Sequence, residues 1–211
     1  DPLFLFCMVQ GYAHTRSRKR YLLRLYFMSL FMTALGLFLD ARFPSENGYG
    51  NHNIFLPLFL TGFLISTLEL YQKDRKRGGL LLGAAALVQV LYGLLPFLLP
   101  FTRDFSGDTL TGVVPNLAVN EYGFAFIALG LALYFLRDRR EALAAVYLVF
   151  CIYQFSAEAL YGYAPVQWMM VLALPLILRY NGERGRGWKW FFYFYYPAHT
   201  CLLFLLARWA G

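Results

Sequence analysis

Apolar stretches separated by short polar segments run the whole length of the chain, at roughly 2–13, 21–39, 53–72, 79–100, 113–136, 142–160, 165–180 and 188–210. Most approach the ~20 residues a helix needs to cross a hydrocarbon core. Backbone polar groups in a bilayer must be paired internally, so only helices and closed barrels span it. The alternation of barrel strands is missing. The pattern predicts an all-α, polytopic membrane bundle with about seven complete transmembrane helices after a partial first one, as a single domain over 1–211. The 165–180 stretch is short and holds Pro165 and Pro175.

Charge between the stretches predicts the threading. Segments 14–24, 73–77, 137–140 and 179–189 carry 5, 4, 3 and 4 Lys/Arg, whereas 40–52, 101–112 and 161–164 carry 1, 1 and 0. Cationic loops stay cytoplasmic, so the first set is expected inside and the second outside. The acids Asp40, Glu46, Asp104, Asp108 and Glu158 fall at or near the outer side.

Composition agrees with this picture. The 211 residues are 59% hydrophobic and only 15% charged, against about 25% charged in soluble domains. The net charge of +7 sits mostly in the loops expected inside. It reads as orientation and as affinity for lipid headgroups or an anionic cofactor, not nucleic acid. Cys7, Cys151 and Cys201 lie in apolar stretches without metal-ligand spacing, so neither a disulfide framework nor a zinc site is expected. The start, Asp1-Pro2-Leu3, lacks both Met and a basic signal region. An amino-terminal truncation is therefore expected.

Ionisable groups inside a membrane are costly and mark function. Gln154 and Glu158 share one helical face with Cys151 and Tyr161, toward the outer end. Asn116, Asn120 and Glu121 open the fifth stretch, and His52 and Asn53 open the third, at the same side. These groups are either separate helix caps or the walls of one outer vestibule. His199 lies eleven residues past Trp188, about 16 Å along a helix and so near mid-membrane. Pro197 is expected to break the helix beside it, with Tyr193 and Tyr196 on the His199 face. His199 is then either a satisfied histidine bonded to a neighbour or a cavity-lining functional group.

The segment Tyr180-Asn181-Gly182-Glu183-Arg184-Gly185-Arg186-Gly187-Trp188-Lys189 combines three glycines with cations. It suits either a positive-inside turn or a phosphate cradle, because Arg binds phosphate oxygens in pairs. His14-Thr15-Arg16 with the following cations is open to the same two readings.

These residues also carry a family resemblance. Gly11-Tyr12-Ala13-His14-Thr15-Arg16 with Lys19-Arg20-Tyr21-Leu22-Leu23-Arg24 resembles the first strong motif of the TraX family. Asn53-Ile54-Phe55, Glu121-Tyr122-Gly123, and Ala173-Leu174-Pro175 leading to Tyr180-Asn181-Gly182 resemble later ones. Phe192-Tyr193 with Tyr196-Pro197-Ala198-His199 resembles the terminal motif. Gln10 stands where the family often has an acid and Glu121 where it often has Asp. An earlier helix with an Asp-His pair, usual in the family, is not in the chain.

The resemblance implies a multi-pass acyltransferase of a bacterial inner membrane, in contact with membrane lipids and with a role in conjugation. It would move an acetyl group from acetyl-CoA to an amine or hydroxyl acceptor, such as a pilin amino terminus or a glycan or lipid hydroxyl. His199 would be the general base or a polarising donor, and Glu121 or Glu158 would orient it or bind the acceptor. Asn181, Arg184, Arg186, Lys189, His14 and Arg16 would hold the cofactor. Asn53, Tyr193, Tyr196 and Gln154 would line the acceptor site, and no metal is implied. The alternative is a non-enzymatic membrane binding or transport protein, against which the lack of an inverted repeat counts. A structural membrane scaffold is a third reading.

Overall fold

The computed structural model describes residues 2–44, 49–50, 52–100, 111–183 and 189–210, with Lys189 and Ala210 described by backbone only. Glu46, Asp104 and Asp108, expected on the outer side, lie outside the described residues. The elements are α1 (Pro2–His14), α2 (Arg18–Arg42), α3 (Phe55–Lys73), α4 (Arg75–Leu98), α5 (Gly123–Phe135) and α6 (Arg140–Leu160), then a 3₁₀ segment (Gln167–Ala173), α7 (Leu174–Leu178) and α8 (Lys189–Ala210). The all-α expectation holds among the described residues. Five helices are long and apolar enough to cross a membrane: α2, α3, α4, α6 and α8.

The fifth and seventh stretches are shorter as helices than the sequence pattern suggests. α5 begins only at Gly123, because Pro115, Asn116 and Asn120 commit residues 115–122 to a turn. Asn116 Oδ1 accepts from the Ala118 and Val119 N–H groups, both at 2.8 Å, and Asn120 Oδ1 from Tyr122 N at 3.2 Å. Gly123 then takes φ +66°, a conformation that suits glycine. In 165–180 the helix is 3₁₀ up to Ala173, and Pro175 sits in the first turn of α7, where its missing N–H costs little. At Pro197 the expectation of a break is corrected. α8 runs through it without interruption.

The short α1 is central. Leu5, Val9 and Tyr12 recur at helical spacing and are fully buried. They join Ile65 of α3, Phe126 and Leu133 of α5 and Tyr147 of α6 in one apolar core. Close approach needs small residues. A Cβ on Gly130 of α5 would lie 2.5 Å from Thr61 Cγ2 of α3. α4 lies at the periphery, with Leu80, Val90, Phe97 and Leu98 exposed, as a lipid-facing helix would have them. Asp74 alone separates α3 from α4. Its side chain caps α4 by accepting from Arg77 N at 3.0 Å.

Two non-helical segments reach the middle of the long helices. Asn53 is hydrogen-bonded to Ser29, which sits close to the midpoint of α2. The loop that follows α2 therefore returns alongside its second half before α3 begins. Pro115 and Leu117 are bonded to Gln89, in the central turns of α4. Irregular backbone at such depth is tolerated only where protein buries it or it lines a cavity.

Candidate functional site

The two irregular segments meet α8 in a polar cluster. His52 Nδ1 lies 3.9 Å from Glu121 Oε1. The Tyr196 hydroxyl, 3.3 Å from both carboxylate oxygens, donates to Glu121. Tyr49 OH donates to Thr200 Oγ1 at 2.7 Å, and Thr200 in turn donates to the Tyr196 and Pro197 carbonyls. The side chain of Glu121 is only 16% exposed, and Tyr196 and Thr200 are buried. A carboxylate so buried needs the partners it has, since an unpaired charge in this environment would be costly.

His199 adjoins this cluster near the midpoint of α8. Its ring stacks on Tyr195 at 4.9 Å and meets Tyr196 edge-on at 5.2 Å. Its Nδ1 is 3.0 Å from the Tyr195 carbonyl. A carbonyl only accepts, so the ring carries a proton on Nδ1. That leaves the Nε2 lone pair of the uncharged tautomer available, with no hydrogen bond among the described residues. The arrangement can accept a proton at Nε2, while Glu121, Tyr196 and His52 form an adjacent chain of polar groups.

The outer vestibule expected from sequence assembles only in part. His52 and Glu121 come together. Asn53 turns to α2 instead, with Nδ2 3.1 Å from the Ser29 carbonyl and hydroxyl oxygens and 3.4 Å from Thr33 Oγ1. Its Oδ1 is buried with no partner among the described residues. Asn116 and Asn120 are spent on their own turn. Glu158 accepts from Gln167 N at 2.9 Å and so caps the 3₁₀ segment; no described contact joins it or Gln154 to His199. Tyr193 packs on Phe55, ring centroids 5.9 Å apart, on the way from the start of α8 to Tyr196. The Asn53 and Glu158 placements share one cause: Asn and Glu satisfy the nearest orphaned backbone or side-chain group first.

A second feature is a cavity of about 300 Å³ among the elements expected on the cytoplasmic side. It is lined by Gln10 and His14 of α1, Arg137, Asp138 and Arg140 before and at the start of α6, and Asn181. His14 and Asn181, far apart in sequence, thus share one wall. His14 Nδ1 is 2.9 Å from the Gln10 carbonyl, which leaves its Nε2 unbonded among the described residues. Asn181 Oδ1 accepts from Glu183 N at 3.0 Å. Arg16 is not among the lining residues. Arg184 and Arg186 lie outside the described residues, as does the side chain of Lys189. Two guanidiniums, an imidazole and two amides share one concave surface with the Asp138 carboxylate, and the guanidiniums suit a phosphate-bearing group.

Several groups escaped the sequence reading. Arg18 of α2 pairs with Glu69 of α3, and Tyr134 of α5 donates to Glu69 at 2.6 Å. The guanidinium of Arg137 lies 4.7 Å from the Tyr134 ring centroid. The signal was available, because Glu69 is an acid within an apolar stretch. Gln89 is likewise a lone amide in one. Tyr195 and Tyr49 carried no such signal among sixteen tyrosines.

Neither a curated protein nor a solved structure matches the chain. A match to the TraX protein family spans residues 109–207 and takes in Glu121-Tyr122-Gly123, Pro175, Tyr180-Asn181-Gly182 and Tyr196-Pro197-Ala198-His199. It leaves the Gly11–Arg24 and Asn53–Phe55 segments outside. That carboxy-terminal portion, which supplies His199, Glu121 and one wall of the cavity, is similar to the TraX protein family.

Proposed function

We propose that this chain is an integral membrane acyltransferase that moves an acetyl group from acetyl-CoA to an amine or hydroxyl acceptor, such as a pilin amino terminus. The observation that carries the reading is His199, its Nδ1 on the Tyr195 carbonyl and its Nε2 without a hydrogen bond among the described residues, next to the Glu121–Tyr196–His52 cluster. The similarity to the TraX family over residues 109–207 supports the reading but does not specify the reaction.

In this reading His199 Nε2 takes the proton from the acceptor's N–H or O–H. The acceptor atom forms a bond to the acyl carbon, the thioester C–S bond breaks, and the proton passes from Nε2 to the departing sulfur. Glu121 and His52 hold the acceptor. The donor's phosphates stay with the cations on the cytoplasmic side, including Arg184, Arg186 and Lys189. Its acyl arm would follow an aromatic track: Phe6 with Tyr180, Phe4 with Phe192, and Phe55 with Tyr193 and Tyr196. Such a track is apolar and low in flexibility, which suits an extended thioester arm. The setting is the cytoplasmic membrane of a bacterium.

A second reading, a non-enzymatic binding or transport protein, draws on the same irregular segments, since transporters also place broken backbone at mid-membrane. Purified protein in nanodiscs, supplied with acetyl-CoA and a peptide amine, separates the two. Release of free thiol that depends on His199 supports transfer. No release above the rate without protein overturns it.

A further inference from the structure

We infer that the cavity between α1, the α5–α6 turn and Asn181 is a phosphate site whose principal cationic ligands are Arg137 and Arg140, residues outside the glycine-rich 180–189 segment. The sequence directs attention to that segment because its cations are interleaved with glycines. The fold instead brings the 137–140 turn to the same concave surface as His14 and Asn181. Arg140 makes no ion pair or hydrogen bond among the described residues. The Arg137 guanidinium lies 4.7 Å from the Tyr134 ring centroid, and its Nε is 3.7 Å from Asp138 Oδ2.

The chemistry selects the ligand class. Gln10 and Asn181 offer amide N–H groups beside the two guanidiniums, and guanidiniums recognise phosphate esters in bidentate fashion. Asp138 opposes it. Its carboxylate is on the lining and 89% exposed, so it lowers the affinity of the site for anions. The cavity of about 300 Å³ is at the lower end of small-ligand sites and accommodates a phosphate or diphosphate portion, with the remainder of the ligand outside it. The identity of that ligand as the acyl donor rests on the proposed function; the preference for phosphate does not. A lipid headgroup of the cytoplasmic leaflet carries the same chemistry.

The test uses the whole chain in phosphatidylcholine nanodiscs, with coenzyme A and pyrophosphate as probes in equilibrium titrations. Coenzyme A is expected to bind and pyrophosphate to compete. Arg140→Gln should weaken binding roughly tenfold, as loss of a charge-assisted hydrogen bond does, and Arg137→Gln with Arg140→Gln should weaken it further. Asp138→Asn should tighten binding severalfold, an effect that misfolding cannot mimic. If coenzyme A fails to bind but phosphatidylglycerol in the nanodisc gives thermal stabilisation that Arg140→Gln removes, the phosphate site stands and the acyl-donor reading falls. Coenzyme A binding unchanged by Arg140→Gln and by Asp138→Asn overturns the site while leaving the transferase reading intact. Absence of binding by both probes and by phosphatidylglycerol overturns it as well.

Discussion

Tyr196 OH stands 3.3 Å from each carboxylate oxygen of Glu121, although 75 residues separate the two in the chain. The contact joins α8 to the turn before α5, and His52 extends it to the loop before α3. Three segments are thus tied by one carboxylate, and the Tyr49–Thr200 hydrogen bond adds a second tie between two of them. The same carboxylate accepts from Tyr196, whose ring meets that of His199 edge-on, so a change at Glu121 should be felt both in packing and in chemistry.

Glu121→Gln is expected to keep the Tyr196 hydrogen bond but lose the charge that attracts His52. Folding should survive, because Gln still accepts. Acyl transfer should fall about tenfold or more if Glu121 holds an ammonium or an imidazolium during the reaction. Tyr196→Phe in combination with Glu121→Gln should be non-additive, with a coupling of about 0.5–3 kcal/mol in unfolding free energy. Additive effects in detergent unfolding would mean that the Tyr196–Glu121 contact carries no energy.

His199→Ala should lower the rate of transfer by about 10²–10⁴, the range for loss of a general base. The protein should remain inserted and folded, since His199 is only part-buried and its described hydrogen bond is to its own helix. Transfer at the parental rate by the variant would make His199 structural.

Much of the helical architecture is legible in the sequence, because the length of an apolar stretch is a direct measure of membrane crossing. α2, α3, α4, α6 and α8 begin and end within a few residues of the apolar stretches. The failures concern polar groups near helix ends. Asn116 and Asn120 look like part of a vestibule, but their amides are consumed by backbone within the same turn. Glu158 looks like a partner for His199, but the nearest orphaned N–H is Gln167. Which group a side chain satisfies depends on the loop path, and periodicity is silent about loops. Pro197 misleads for a different reason. A membrane helix can lose one backbone bond and continue, since neighbouring groups re-satisfy what is freed. Here Pro197 frees only the Tyr193 carbonyl, and the helix continues to Ala210.

Glycine positions give a stability prediction with an internal control. A Cβ on Gly130 would lie 2.5 Å from Thr61 Cγ2 and 2.9 Å from Leu5 Cδ1, whereas one on Gly83 would meet nothing within 4 Å. Gly130→Ala should destabilise by about 1–3 kcal/mol through overpacking. Gly83→Ala should be neutral or slightly stabilising. Thermal unfolding in one detergent compares the two, and equal shifts would contradict the packing of α5 on α3.

The threading can be checked at described positions. Asp138 lies in a cationic turn and is 89% exposed, while Pro44 follows α2 at its other end. With Cys7, Cys151 and Cys201 replaced by Ala, Asp138→Cys should react with an impermeant maleimide only from the cytoplasmic side and Pro44→Cys only from the other. Labelling of both from one side would invert half of the topology.

Gln89 offers the most direct test of the irregular backbone at mid-membrane. Its Oε1 accepts from Leu117 N at 2.7 Å and its Nε2 donates to the Pro115 carbonyl at 3.3 Å. Pro115 has no N–H of its own to offer, and no regular helix passes through 115–122 to satisfy these groups. Gln89→Leu would leave one donor and one acceptor stranded in an apolar setting, at a cost of about 1–3 kcal/mol each. Because that turn presents Glu121 to Tyr196 and His52, the variant should lose activity along with stability. Gln89→Glu should retain the acceptor and so recover the bond to Leu117 N in part. A Gln89→Leu protein with parental unfolding and parental transfer would show that the turn is held by other contacts and that Gln89 merely faces lipid.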